Sequence, residues 1–339
     1  MKNTNHPADA EKTEILKGLV IRSSRNIITA RIDSAELECR IKGKVLKDAE
    51  NQYNPVAPGD VVVVERKNNS NCALVLSVEK RRNVFSRFNQ KGMSAPGEAS
   101  RASQLLAANA DLVLCLCTPV SPPFRPRFID RVLLQAEAAG IEALVICNKI
   151  DIEYNDIDVN ERLEDFKRIG YKILYVSAKT GEGMDSLRGI IAGKTSVLIG
   201  QSGVGKSSLI NALSPGQNIK EGCLNEKYDR GVHTTTLSFM VELAQGNGTS
   251  GSAASGTRII DTPGVRLFIP DGIQANEVIS HLREFAPLAG KCSYGLSCSH
   301  KTEPGCKIME AVTAGVIHED RYESFLRITE DLKGIQKND

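Results

Sequence analysis

Between residues 16 and 78 apolar and polar positions alternate in short runs, at 17–21, 26–30, 37–41, 61–64 and 73–76. A period of two puts one face of each run in a core, and turn-forming residues, among them Pro58-Gly59-Asp60, separate the runs, so five short strands are predicted. From about residue 109 the pattern changes. Apolar runs at 112–117, 143–147, 172–176 and 195–199 alternate with helical periodicity over 127–139, 159–169, 184–191 and 206–213. Strand and helix in strict alternation predict a mostly parallel sheet with helices on both faces. Residues 246–256 read GNGTSGSAASG, a low-complexity stretch with no packing capacity, expected to join two antiparallel strands at 237–243 and 257–260. Beyond 275 the pattern becomes shorter-ranged and closes with a helix near 321–332.

The chain has 339 residues, room for two or three domains. The pattern divides it into a disordered tail (1–14), a β-barrel of the oligonucleotide-binding type (15–80), a basic linker (81–108), an α/β domain (109–275) and a carboxy-terminal module (276–339). Lys80-Arg81-Arg82, Arg87, Lys91 and Arg101 make the linker basic. Charge runs are usually solvated connectors, but beside such a barrel phosphate contact is the alternative. The whole chain carries only +2, so global charge points to no nucleic-acid partner. No apolar run reaches bilayer length, and the amino terminus lacks the apolar segment of a signal peptide; a cytoplasmic protein without a membrane partner is expected. Nine cysteines, an odd number, argue against a disulfide framework. Cys39, Cys72, Cys115, Cys117 and Cys147 sit in apolar runs and read as small buried hydrophobes. Cys223 gets no role.

Four segments carry chemistry. Gly200-Gln201-Ser202-Gly203-Val204-Gly205-Lys206-Ser207, with Ser208 behind it, fits G-x-x-x-x-G-K-S between an apolar strand and a helix, which is the context that phosphate-binding loop requires. Its amides can wrap phosphates at a helix N-terminus, Lys206 can reach the outer phosphates, and the Ser207 hydroxyl can bind Mg²⁺. Asp261-Thr262-Pro263-Gly264 ends a second strand; Asp261 can hold Mg²⁺ through water and the Gly264 amide can sense a γ-phosphate. Asn148-Lys149-Ile150-Asp151 follows the strand at 143–147. The Asp151 carboxylate can accept from the N1 and N2 donors of guanine, a pair that adenine lacks, while Asn148 braces the loop and the Lys149 stem covers the ring. Ser177-Ala178-Lys179 is the companion loop, with the Ala178 amide facing the guanine carbonyl oxygen. Among His233-Thr234-Thr235-Thr236, Thr235 is favoured to bind Mg²⁺ and the γ-phosphate, with Thr234 close behind; Thr236 fits plain strand propensity. A water-positioning Gln would stand just past Gly264, where this chain has Val265. His233 is the candidate replacement, with a surface histidine as its alternative.

Cys292, Cys298, His300 and Cys306 form Cys-x5-Cys-x-His-x5-Cys. Three thiolates and one imidazole suit one tetrahedral Zn²⁺ in a closed, structural site. A short polar stretch has few other ways to hold itself together.

The nucleotide segments resemble the translation-factor-related GTPases, but the order is base loops first and phosphate loop afterwards, a circular permutation. Permuted order, a preceding barrel and a following Cys/Cys/His/Cys set together resemble the ribosome small-subunit-dependent GTPase A family, from about residue 16 to 332. Ile129-Asp130-Arg131 and Pro58-Gly59-Asp60 share the resemblance. One departure is the first metal interval, five residues where the family pattern has four, so the resemblance does not itself carry Cys292 over; another is the insertion at 246–256. The resemblance implies a monomeric assembly factor that binds the small ribosomal subunit and its rRNA through barrel and zinc module, assists late maturation, hydrolyses GTP to GDP under stimulation by the subunit, and leaves. A GTP-dependent RNA-binding module, or a GTP-using factor acting elsewhere than on the ribosome, are the other readings of the same motifs.

Overall fold

A computed structural model describes residues 13–24, 27–41, 45, 52–67, 70–89, 103–214, 238–243, 256–265 and 267–336. The first strands are β1 (Thr13–Ser23), β2 (Ile27–Ile32), β3 (Ala35–Ile41), β4 (Val61–Lys67) and β5 (Cys72–Val78). They run in the order β1-β2-β3-β5-β4, and β4 pairs back onto β1 from Thr13↔Lys67 to Leu19↔Val61, closing the barrel. Alternate side chains fill it: Leu37, Cys39 and Ile41 from β3, Val62 and Val64 from β4, Ala73 and Val75 from β5. Thr13 and Glu14, expected in the tail, belong to β1 because they pair with Lys67 and Arg66.

The Pro58-Gly59-Asp60 turn seats this barrel on the next element. Gly59 has φ +95°, and a Cβ there would lie 2.0 Å from Ala108 O. Asp60 is fully buried and accepts from Arg81 Nε and Nη2 at 2.7 and 2.9 Å. Arg81 is thus committed to the barrel, Arg82 pairs with Asp111 at 2.7 Å, and Arg87 donates to Gln104 at 2.9 Å. The basic linker read from sequence at 81–108 carries an antiparallel ribbon, β6 (Val84–Phe88) and β7 (Ser103–Ala108), whose Phe85, Leu105 and Leu106 are buried. Lys91 and Arg101 lie outside the described residues.

The central sheet is built from β8 (Leu112–Cys117), β9 (Glu142–Cys147), β10 (Lys172–Tyr175), β11 (Thr195–Gly200), β12 (Phe239–Glu242) and β13 (Arg258–Asp261). Its order is β10-β9-β8-β11-β13-β12, parallel throughout except β12. The helices are α1 (Pro126–Ala138), α2 (Ile157–Arg168), α3 (Met184–Ile191) and α4 (Lys206–Leu213). All six β8 residues are buried because both faces are covered. Val113, Cys115 and Cys117 join α1 and α2 in one core, while Leu112, Leu114 and Leu116 join α3 and α4 in the other. At the far edge β12 meets β1 through Arg22↔Phe239, so sheet and barrel are continuous, and Glu242 pairs with both Arg31 and Arg258.

The carboxy-terminal module holds three short 3-10 turns, Val278–His281, Ala286–Leu288 and Gly295–Ser297, then α5 (Lys307–Thr313) and α6 (Glu319–Gln336). It has more apolar content than its sequence suggests: Val278, Leu282, Phe285, Ile308, Phe325 and Leu332 pack in one cluster with Leu134 of α1. The module therefore has means other than a metal of holding together. A buried ionic network also binds it to α1 and α2 of the central domain. Arg321 of α6, 1% exposed, donates to Asp130 of α1 at 2.8 Å and to both oxygens of Glu284 at 2.6 and 2.9 Å. Arg162 of α2 joins it, 3.5 Å from Asp130 and 2.8 Å from Asp165. Among the described residues no helix is long and apolar enough to cross a membrane.

Candidate functional site

Open parallel sheets bind ligands beyond the carboxyl ends of their strands. Those ends here carry Asn148 after β9, Ser177 after β10, Gly200 on β11 and Asp261 on β13. Asn148 ties three of the segments together. Its Nδ2 donates to Val204 O of the phosphate loop at 2.9 Å, its Oδ1 accepts from Ala178 N at 3.1 Å, and its own N–H donates to Cys117 O at 2.9 Å. Asn148 is 1% exposed, so each bond is shielded from water. The Ala178 N–H, expected to face a guanine carbonyl oxygen, serves in this structure to brace Asn148. Gly205 is required where it stands: φ is +94°, and a Cβ would lie 2.5 Å from Asn148 Nδ2.

Lys149 has φ +66° without being glycine, a strained backbone held by its side chain. Its Nζ donates to Gly203 O at 2.8 Å and to Ser121 O at 2.7 Å. The Ile150 side chain packs against the core on the α1 and α2 face. Asp151 Oδ1 accepts from Ser177 Oγ at 2.7 Å, and Lys179 Nζ stands 3.7 Å from Oδ2. The Ser177 hydroxyl, with Lys179, holds the Asp151 carboxyl below its ordinary pKa. The group that would accept guanine donors is thus an ionised, oriented acceptor near neutral pH.

On the phosphate side, Lys206 Nζ reaches Gly200 O at 3.3 Å and Gln201 O at 3.4 Å, spanning its own loop. Gly264 lies against that loop, its Cβ position 3.1 Å from Lys206 Nζ and 3.2 Å from Ser202 N. The Asp261 Oδ1 atom is buried and has no hydrogen-bond partner among the described residues. Burial pushes this carboxyl up to about 6 against the pull of Lys206, whose own pKa burial lowers. A buried carboxylate oxygen left bare beside the phosphate loop is a fit for a hard cation or its water shell. Val265 is buried in the core, so it cannot hold a water. His233, Thr234, Thr235 and Thr236 lie outside the described residues, as do Cys223 and the insertion up to residue 255.

In the carboxy-terminal module the ligand atoms of Cys292, Cys298, His300 and Cys306 lie within 4.8 Å of one another, and all four residues are buried. Cys292 Sγ and Cys306 Sγ are 3.9 Å apart, and each is 3.5 Å from His300 Nδ1. A zinc tetrahedron has edges of about 3.8 Å between sulfurs and about 3.6 Å between sulfur and nitrogen. Cys292, His300 and Cys306 stand at that spacing, Cys292 included despite its longer interval, and with Cys298 the set could hold a zinc ion. The Lys307 N–H donates to Cys292 Sγ at 3.3 Å, and Tyr322 Oη donates to His300 O at 2.6 Å. Glu303 closes the intervening loop by accepting from Ser299 N, Lys301 N and Thr302 N at 2.7, 3.1 and 3.1 Å.

The family model for the RsgA GTPase matches residues 78–269, more than half of the chain. The chain belongs to this family. A Flavobacterium psychrophilum relative, "Small ribosomal subunit biogenesis GTPase RsgA", is 34% identical over 321 residues, 93% of each chain. The Bacteroides thetaiotaomicron "Small ribosomal subunit biogenesis GTPase RsgA 2" is 35% identical over 320 residues, 93% of this chain and 97% of its own. Among solved structures, YjeQ from Thermotoga maritima superimposes with a TM-score of 0.64 at 26% identity, covering 95% of this chain and 99% of its own. YloQ, described as a circularly permuted GTPase, gives 0.60 at 23% identity over 98% of both chains, a likeness of fold. Membership accounts for the strand order: β11, last of the five parallel strands but one in chain order, sits in the middle of the RsgA-type sheet, between β8 and β13.

Two residues at this site have no motif: Thr118 and Ser121 sit on the loop that receives Lys149. A threonine followed by three prolines directly after a buried strand is the one signal that marks them.

Proposed function

We propose that this chain is a GTP hydrolase that binds the small ribosomal subunit, assists its late maturation in the cytoplasm, and dissociates as a monomer once GTP has become GDP. The observation that carries the reading is the Asn148 Nδ2–Val204 O bond of 2.9 Å, which fastens a guanine-type loop to a phosphate loop fifty-six positions later. Relatives carrying the small-subunit biogenesis name over 93% of the chain supply the partner.

Asp151 reads the guanine edge, the Lys149 stem covers the ring, and Ser177, Ala178 and Lys179 frame it. The amides of residues 200–205 and Lys206 hold the phosphates and stabilise charge that develops on the γ-phosphoryl group. Ser207, Thr235 and Asp261 would hold Mg²⁺; bound there, it neutralises charge on the β- and γ-phosphate oxygens. His233 orients the attacking water, since Val265 cannot. GTP orders the Thr235 and Gly264 segments and hydrolysis releases them, which sets subunit affinity. Cys292, Cys298, His300 and Cys306 hold one structural Zn²⁺, and barrel and module contact rRNA.

Phosphate release measured with and without small ribosomal subunits tests this. Stimulation of at least about tenfold, lost in Lys206→Ala, supports it. GTP binding with no release in either condition refutes it in favour of a binding module.

A further inference from the structure

The loop between β8 and α1 touches the site without belonging to any nucleotide motif. The Thr118 hydroxyl, on a residue 1% exposed, donates to Pro122 O at 2.7 Å and closes a turn around Pro119, Val120 and Ser121. That turn aims Ser121 O at Lys149 Nζ, 2.7 Å away. The Pro122 ring rests on the phosphate loop, 3.7 Å from the Cβ position of Gly203. The Lys149 ammonium is thus gripped by two carbonyls, Gly203 O on one side and Ser121 O on the other. Prolines at 119, 122 and 123 restrict the backbone before any ligand arrives.

We infer that Thr118 is a positioning residue for guanine nucleotides. It holds the Ser121 carbonyl that fixes Lys149, and so keeps the lysine stem flat over the base and the phosphate loop pressed from behind. Thr118 touches no nucleotide; it acts through Lys149. The inference rests on the guanine-nucleotide reading above.

Dissociation of a fluorescent GDP analogue is the measurement. Thr118→Val keeps the shape and removes the hydroxyl, and it should speed dissociation by about tenfold, the worth of one buried hydrogen bond with its acceptor left bare. Thr118→Ser should stay within about twofold of the unaltered protein, because the hydroxyl is kept. In a Lys149→Ala background Thr118→Val should add less than about twofold, since coupled residues are non-additive. Pro122→Gly, which loosens the same turn from its other end, should also accelerate release and serves if Thr118→Val does not fold. An unchanged rate in folded Thr118→Val, or a full effect persisting without Lys149, overturns the inference. If the unaltered protein takes up no guanine nucleotide at all, the functional reading itself fails, a result distinct from either of these.

Discussion

Arg321→Met should loosen the carboxy-terminal module far more than the loss of one side chain would suggest. The guanidinium makes three charge-assisted bonds, to Asp130 and to both oxygens of Glu284, and lies 5.7 Å from the Phe166 ring centre. Burial lowers its pKa, but Asp130 and Glu284 outweigh that and hold it above the ordinary guanidinium value. Methionine fills the space yet leaves Asp130, 0% exposed, with Arg162 at 3.5 Å as its one ionic partner among the described residues. Removing one partner of a buried pair costs about 3–5 kcal/mol, because the remaining charge is stranded. For a cooperative unit of about 150–250 residues, the central domain with the module packed on it, that lowers the melting point by roughly 6–20 °C. The chain has no tryptophan, so unfolding is followed by far-UV circular dichroism together with labelling of the Cys292, Cys298 and Cys306 thiols. The combined change Arg321→Met, Asp130→Asn, Glu284→Gln removes the stranded charges and should recover at least half of the loss. A single variant that melts within about 2 °C of the unaltered protein, or a triple variant no better than the single, refutes the reasoning.

Asp151→Asn should weaken GTP binding by on the order of a hundredfold or more, since an amide cannot accept from both guanine donors, and it should improve binding of xanthine nucleotides; competition binding reads both. Metal analysis should find one zinc ion per chain in the unaltered protein and none in Cys292→Ser, whereas retention of a full equivalent by the variant would remove Cys292 from the ligand set. The Glu303 carboxyl, held down to about 2 chiefly by the Ser299 hydroxyl and amide, starts from an ordinary value of 4.5. Because the folded value is the depressed one, its stabilisation of the loop is complete above about pH 4.5 and is lost as pH falls toward 2. An NMR titration showing a Glu303 pKa near 4.5 would contradict this.

The fold was readable wherever local pattern and burial coincide. β8 is apolar at all six positions and buried at all six, and the phosphate loop announces itself through the strand before it and the helix after it. The ribbon was hidden because residues 89–102 separate Val84–Phe88 from Ser103–Ala108 in sequence, and because Arg87 interrupts the apolar run. Asp130, Arg162 and Arg321 look like surface charges in a helical pattern; only the packing of α1, α2 and α6 brings them together. The basic run 80–82 read as a solvated connector or a phosphate contact, yet Arg81 is spent on Asp60, a partner twenty-one positions earlier whose burial no local signal reveals. At the site, Asn148 and Asp151 could be read from hydrogen-bond chemistry, while the support from Thr118 depends on a loop meeting Lys149 in space. For the metal cluster, residue types named four side chains that the fold does gather. The departure from the family pattern left Cys292 open, and the left-handed backbone at His300, φ +60°, is what lets the chain double back to gather all four.

The permuted strand order also has a consequence during synthesis. β8 emerges from the ribosome with β9 and β10 soon after it, but β11, which covers its other edge, begins about eighty residues later. At ~5–20 residues per second, β8 waits roughly 4–16 seconds with one side bare. A fully apolar strand in that position invites pairing with neighbouring nascent chains. Newly made protein is thus most exposed to aggregation before its phosphate loop exists, and brief chaperone cover during that interval should raise its yield.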